Sequence, residues 1–335
     1  MFEFSVIGGK AAREIIGRNR PRIVEQVRET YLTHEAGASV NPDSYFLRFP
    51  EKPDARIIAL PAFLGGGQEV AGIKWISSFP ANIEQGIPRA SAALLLNDYA
   101  TGYPYAVLEA SQISAARTAA SAVLAAEVLS GGRRAERVVV VGAGIIARNI
   151  LEFFRAREWE FGSVQVHDQL PQYGEALAEY TAVELGWEAE FAAELAPVLK
   201  GADLVVFATT AGEPYVTAPD SFAPGQLVLN ISLRDIAPEL VLGSYNVLDD
   251  VEHCMKANTS PHLAEQLTGN RDFVTGTLAQ VINGDAVVGD DKPVIFSPFG
   301  LGVLDLAVGR FVHQEAQQSG QAVEIADFFG ETKRW

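Results

Sequence analysis

The stretch Arg137-Val138-Val139-Val140-Val141-Gly142-Ala143-Gly144-Ile145-Ile146-Ala147-Arg148-Asn149-Ile150 decides the fold. Its valine run reads as a strand covered on both faces, the habit of a parallel sheet. The turn Gly142 to Ala147 has the form G-x-G-x-x-A, and a helical pattern follows it. Gly142 permits the tight turn off the strand. Gly144 has no Cβ, so a pyrophosphate can approach the backbone, and Ala147 lets the helix pack closely on the sheet. The helix start at Ile145 and Ile146 offers unpaired N–H groups and a partial positive charge. A second short strand, Ser163 to His167, ends at Asp168, 24 residues after Gly144. An acid at roughly that distance accepts hydrogen bonds from ribose hydroxyls. A 2′-phosphate would be repelled by it, so the pattern predicts NAD rather than NADP.

Working outward, a chain of 335 residues suggests two domains and can bury a large core. Its 48% hydrophobic and 20% charged residues are ordinary for a globular protein. The net charge of −16 argues against non-specific nucleic-acid binding, since a phosphate backbone would be repelled. It leaves the sign of a substrate open, because a basic pocket fits inside an acidic protein. Cys254 is the only cysteine, so no intrachain disulfide forms, which fits a cytoplasmic location. Met1-Phe2-Glu3-Phe4-Ser5 lacks the features of a signal peptide. Ala119 to Leu129 reads as too short to span a bilayer, and Glu127 interrupts it, so no membrane partner is expected.

Residues 18–36 read as an amphipathic helix. Strands are expected at Tyr45 to Phe49, Arg56 to Leu60, Val70 to Ser77, Ala92 to Asn97 and Tyr105 to Glu109. Ser111 to Leu129 reads as a long helix ending near Gly131-Gly132. From Val138 the pattern alternates strand and helix. Later parallel strands are expected at Leu204 to Thr209, Leu227 to Ile231, Tyr245 to Asp249 and Val294 to Ser297, with a helix at Gly302 to Ala316. The expected fold is α/β: a Rossmann domain, residues 116–305, inserted into an α+β substrate-binding and dimerisation domain formed by 1–115 and 306–335. The last helix is expected to pack back on the first domain.

Four positions attract attention as chemistry. Arg48 and Lys74 are single cations between apolar neighbours on strands, and Arg117 is the lone charge in Ser114-Ala115-Ala116-Arg117-Thr118-Ala119-Ala120. A charge so placed is costly unless paired or facing a polar site. Each is open to a second reading, as a snorkelling cation or a structural ion pair. Asp235 lies just past a predicted parallel strand, where ligands bind in open α/β sheets. There it serves either as a general base or as a helix N-cap before Ile236-Ala237-Pro238. The segment Asp249 to Cys254, with His262 nearby, fits no zinc signature and is read as a solvated acidic face or a helical cap, not a metal site.

These features together resemble the ornithine cyclodeaminase/μ-crystallin family. The resemblance rests on Gly72-Ile73-Lys74, on Ala116-Arg117-Thr118-Ala119-Ala120, on the Gly142 to Ala147 turn and on Asp235, and it spans nearly the whole chain. Further phrases are similar to one branch of that family: Ser44 to Pro50, Asn230 to Ile236, Asp249 to Glu265, Pro293 to Gly300 and Phe328 to Glu331. That branch implies NAD-dependent oxidative hydrolysis of N-(2-amino-2-carboxyethyl)-L-glutamate. The products are L-2,3-diaminopropionate, 2-oxoglutarate and NADH, for siderophore or peptide-antibiotic biosynthesis. By resemblance, Arg48, Lys74 and Arg117 hold a substrate carboxylate, with Gly300 in the substrate site. Asp235 is the catalytic carboxylate and Lys74 assists it. Arg117, Thr118, Thr209 and Ser232 touch the cofactor. The resemblance also implies a homodimer through the first domain. The chain departs from cyclodeaminases around Asp235, where Arg234 and Ile236-Ala237-Pro238 replace a glycine-rich acidic segment. Arg89 also stands where those enzymes have a smaller polar residue. Added cations oppose an ammonium-tailed substrate such as ornithine and suit one with several carboxylates. The family leaves two other functions open: a cyclodeaminase or other amino- or imino-acid dehydrogenase, and a non-catalytic nucleotide-binding protein.

Overall fold

The structure, a computed structural model, describes residues 3–333. The chain divides into two compact units. One runs to Arg117 and resumes at Leu301; the other is Thr118–Gly300.

The first unit carries β1 (Ser5–Ile7), β2 (Ser39–Val40), β3 (Tyr45–Phe49), β4 (Lys52–Leu64), β5 (Val70–Ser78), β6 (Ala90–Asp98) and β7 (Pro104–Glu109). They lie in the order β1-β7-β6-β5-β4-β2, with β3 also on β4. All of these pairings are antiparallel except β1 with β7. Residues opposite one another across such a sheet share a face. The row Leu60, Lys74, Leu94 therefore belongs with Ala62, Leu64 and Leu96, all on the face that packs against the helices Gly9–Glu35 and Gly302–Gln318. Gly72 marks the closest approach: a Cβ there would lie 2.2 Å from the Leu95 carbonyl oxygen and 2.8 Å from Leu306 Cδ2.

The first helix differs from the sequence expectation at its start. It begins at Gly9, not near residue 18, and bends where Asn19 leaves helical geometry two residues before Pro21. Proline removes a helical N–H and breaks the apolar period near the middle of the helix, so the pattern misses most of the half before it. The Asn19 amide donates to the Ile15 carbonyl at 2.9 Å and covers part of the break. The helix Ser111–Ser130 is long and apolar enough to cross a membrane by length and composition, although Ala119 to Leu129 alone is not. Most of it is buried inside the protein, as in a core helix.

The second unit carries β8 (Arg134–Val141), β9 (Glu160–His167), β10 (Ala189–Phe191), β11 (Leu204–Phe207), β12 (Leu227–Asn230), β13 (Tyr245–Leu248), β14 (Val274–Thr277) and β15 (Val294–Ser297). Their order is β10-β9-β8-β11-β12-β15-β13-β14, and the pairings are parallel throughout. The chain runs from β8 outward to β10, then returns to β11 on the other side of β8. That reversal is the topological switch point of a Rossmann fold. A last strand, β16 (Val323–Glu324), pairs antiparallel with β1.

Candidate active site

The switch point in the second unit opens into a cavity of about 360 Å³. The loop after β8 forms one side of it, Asp168 another, and Thr209 and Tyr215 a third. Gly142 has φ +93, and a Cβ there would lie 2.6 Å from the Ala208 carbonyl oxygen, so only glycine fits. Gly144 is the N-cap of the helix Ile145–Ala156, and a Cβ on it would meet nothing within 4 Å. The helix start thus faces open space, as a pyrophosphate requires, while Ala147 is fully buried against the sheet. Asp168 accepts hydrogen bonds from the Ala143 N–H at 2.7 Å and the Leu170 N–H at 2.9 Å. These bonds fix its carboxylate at the cavity rim, half-buried, with lone pairs left for a ribose. Ile145 is exposed at the helix start and Ile146 half-buried behind it.

Asp235 is fully buried beyond the end of β12. It is not the cap of the following helix, whose N-cap is Ala237 with no side-chain bond. Its carboxylate accepts from the Thr209 hydroxyl at 2.5 Å, from the Tyr215 hydroxyl at 2.8 Å and from the Ser232 hydroxyl. Burial, then the Asp235 charge, pushes the Tyr215 hydroxyl far above its ordinary pKa, so it stays a donor. The turn that delivers Asp235 is strained: Leu233 sits at φ +78. Its conformation is held by a 2.7 Å bond from the Ser260 N–H to the Leu233 carbonyl. Non-glycine residues are held in this region mainly at sites where the surroundings over-determine them.

The first unit contains a buried ion cluster. Lys74 on β5 donates to Asp305 at 2.6 Å and to the Ser114 hydroxyl at 3.2 Å. Arg117 Nε stands 3.5 Å from the other oxygen of Asp305. Lys74 and Asp305 are shielded from solvent, whereas Arg117 is partly exposed. Burial lowers the Lys74 pKa to about 8 against the pull of Asp305, with Arg117 adding to the fall. A single carboxylate facing two cations leaves a net positive site, suited to a second carboxylate from a ligand. Asp305 was not among the residues that sequence reasoning selected. Its signal is the one that drew attention to Arg117, a lone charge in an apolar helical run, here Gly302-Val303-Leu304-Asp305-Leu306-Ala307-Val308-Gly309.

The remaining selected residues fall in varied settings. Arg48 is exposed on β3, its guanidinium 5.3 Å from the Phe46 ring. Arg89 is half-buried just before β6. Arg234 donates two N–H groups to the Ala257 carbonyl, at 2.8 and 3.1 Å. Gly300 is buried at φ +95, and its N–H and that of Phe299 donate to Asp249 at 2.7 and 2.8 Å. Asp249, its pKa raised by burial, thus pins the loop that carries Gly300. Thr118 is half-buried in the helix Ser111–Ser130. Among the described residues no group of three His, Cys, Asp or Glu side chains could hold a metal.

Comparison with known proteins places this arrangement. The chain is 30% identical over 321 residues to N-((2S)-2-amino-2-carboxyethyl)-L-glutamate dehydrogenase of Staphylococcus aureus, covering 91% of this chain and 93% of that one. It is 28% identical over 318 residues to alanine dehydrogenase of Archaeoglobus fulgidus, covering 90% and 92%. Among solved structures, Thermococcus litoralis Delta(1)-pyrroline-2-carboxylate reductase in complex with NADH and L-proline matches with a TM-score of 0.88 at 22% identity. That match covers 96% of this chain and all of the other. The fold, with its Rossmann unit, is therefore shared along nearly the full length. The sequence profile of one family matches residues 16–320, a span holding the Gly142 to Ala147 turn, Asp235 and the Lys74–Asp305–Arg117 cluster. The chain belongs to the ornithine cyclodeaminase/mu-crystallin family.

Proposed function

We propose that this protein is an NAD-dependent oxidoreductase that oxidatively hydrolyses N-(2-amino-2-carboxyethyl)-L-glutamate. The products are 2-oxoglutarate and L-2,3-diaminopropionate, the latter a building block for a siderophore or peptide antibiotic. The observation that carries the reading is the 30% identity over 321 residues to the Staphylococcus aureus dehydrogenase. It agrees with an excess of cations over acids at the Lys74 cluster and with an acid, Asp168, placed for a ribose without a 2′-phosphate. NAD, when bound, accepts the hydride from the glutamyl Cα.

The residues divide the remaining work. Lys74 and Arg117 hold the α-carboxylate, a charge-assisted clamp that fixes the Cα–H for transfer. Loss of hydride from Cα and of the proton from the secondary amine leaves an imine. Water adds to it, one of its protons returning to the nitrogen; the carbinolamine then collapses, its hydroxyl proton also passing to the nitrogen as the C–N bond breaks to release the diaminopropionate. Asp235 takes the proton from that water through the Thr209 or Tyr215 hydroxyl, which line the cavity and already point their protons at its carboxylate. Direct contact is not needed, since a hydroxyl passes one proton on as it receives another. Arg48, Arg89 and Arg234 add positive charge toward the other carboxylates, and Gly300 lets backbone approach the ligand. Ile145, Ile146, Thr118 and Ser232 contribute to the cofactor site.

Incubation with NAD and the synthetic conjugate tests the reading. The expected result is stoichiometric NADH, 2-oxoglutarate and 2,3-diaminopropionate. NADH formation without 2-oxoglutarate overturns it. The 28% identity to an alanine dehydrogenase favours one second reading, a dehydrogenase of a simple amino acid. NADH and ammonia formed from alanine, with the conjugate inert, would establish that reading instead.

A further inference from the structure

Two further cations, Arg48 and Arg56, lie by register on the same face of the first sheet as Lys74. Arg48 on β3 stands opposite Arg56 on β4, and Arg56 stands opposite Ser78 on β5. Lys74 and Ser78 are four residues apart on one strand, so their side chains share a face about 13 Å apart along it. Arg89 is tied into the same corner, its carbonyl accepting the Phe79 N–H at 2.9 Å. Arg56 and Arg89 are half-buried, and Arg56 is near enough to depress the Arg89 pKa, after burial itself.

Like charges directly opposite on neighbouring strands are destabilising. Among the described residues no acid pairs with Arg48, Arg56 or Arg89 to relieve them. The Ser78 hydroxyl, buried in the same corner, has no hydrogen-bond partner. Between this corner and Lys74 runs the row Phe46, Ile58, Ile76, Ala92, which is apolar. Ile58, Ile76 and Ala92 are half-buried, so the row is a greasy strip with a cationic group at each end. Methylenes of a short dicarboxylate suit such a strip, and its two ends suit the cations.

We infer that Arg56, Arg89 and the Ser78 hydroxyl form a second carboxylate subsite. It takes the γ-carboxylate of the glutamyl moiety while the Lys74 cluster takes the α-carboxylate. The inference rests on the proposed reaction for the identity of the substrate. Lysine and arginine side chains each extend several ångströms, so the 13 Å between strand positions narrows to the span of a five-carbon diacid. The subsite explains how a chain with net charge −16 selects an anionic substrate: the cations are gathered at one corner of the first sheet.

The test compares two ligands in two variants. Arg56→Gln and Arg89→Gln should each raise KM for the conjugate at least tenfold with NAD affinity unchanged. Each should raise KM by a much smaller factor for the analogue that has 2-aminobutyrate in place of glutamate, which lacks the γ-carboxylate. Arg56→Lys, which keeps the charge but not the fork, should lose less than Arg56→Gln. Equal losses on both ligands, or no loss on either, overturn the subsite. If the unaltered protein does not turn the conjugate over, the proposed reaction fails on its own, and glutarate titration decides the subsite. Glutarate binding that Arg56→Gln weakens at least tenfold upholds it. Absent or unaffected binding overturns it.

Discussion

Lys74 shows how burial sets up a group that a surface lysine could not supply. Its pKa of about 8 comes from lost hydration, opposed by Asp305 at 2.6 Å. The unfolded chain therefore holds this proton between about pH 8 and the ordinary lysine range near 10.4, while the folded chain has released it. The group's contribution to stability thus rises with pH through that window. The cationic clamp proposed for it runs the other way: KM for the substrate should climb as pH passes about 8. Asp305→Asn removes the opposing anion, so the climb should begin at least about one unit lower. Steady-state kinetics from pH 6 to 10 on both proteins reads this directly, and a KM profile that does not move would remove Asp305 from the clamp. Asp235 is tested by Asp235→Asn, which still accepts from a hydroxyl but is a far weaker base. Turnover should fall by roughly two orders of magnitude or more with NAD affinity preserved. Near-normal turnover would show that the proton leaves by another route.

At the scale of elements, the turn after β8 separates two uses of glycine. Gly142→Ala forces a Cβ to 2.6 Å from a backbone oxygen at positive φ. It should destabilise the protein by about 2 kcal/mol or more in denaturant unfolding. Gly144→Ala meets open space at an ordinary φ of −82 and should leave stability within about 0.5 kcal/mol. It should nonetheless weaken NAD at least tenfold, because the methyl would fill the space in which the pyrophosphate is proposed to lie. NAD titration and unfolding on the pair distinguish the roles; unchanged NAD affinity in Gly144→Ala would move the phosphate elsewhere. The same unit shows why part of the fold is legible in sequence. Val138 to Val141, Leu204 to Phe207 and Val294 to Ser297 are apolar runs because helices cover both faces of a parallel sheet. β14, Val274-Thr275-Gly276-Thr277, is an edge strand with two threonines and a glycine, so no run marks it, and β10 has only three residues. The site is legible where one segment carries the chemistry, as at Gly142 to Ala147. It is hidden where the partner is remote: Asp305 lies 231 positions from Lys74, and Tyr215 reaches Asp235 from a loop.

For the whole molecule, the open question is what covers the other face of the first sheet. Register places Tyr45, Ala59, Trp75 and Ala93 in one row, on the side away from Lys74. Tyr45 is 73% exposed and Trp75 45%, and Leu47 on the same face is also exposed. An aromatic and aliphatic face of this kind marks an association surface in a folded protein. We expect a second copy of this chain to occupy the face, in a two-fold arrangement that buries the row against itself. Light scattering should give twice the chain mass of 36.0 kDa. Trp75→Glu combined with Leu47→Glu should halve that mass, because two buried carboxylates per copy would face each other without partners. Each copy carries a net charge of −16, so the halves repel, and association should tighten as added salt screens that repulsion. NAD affinity should survive the pair of substitutions, since the Gly142 to Ala147 turn proposed to hold its phosphates belongs to the Thr118–Gly300 unit. A monomeric mass for the unaltered protein at every salt concentration would leave the row exposed and overturn the expectation.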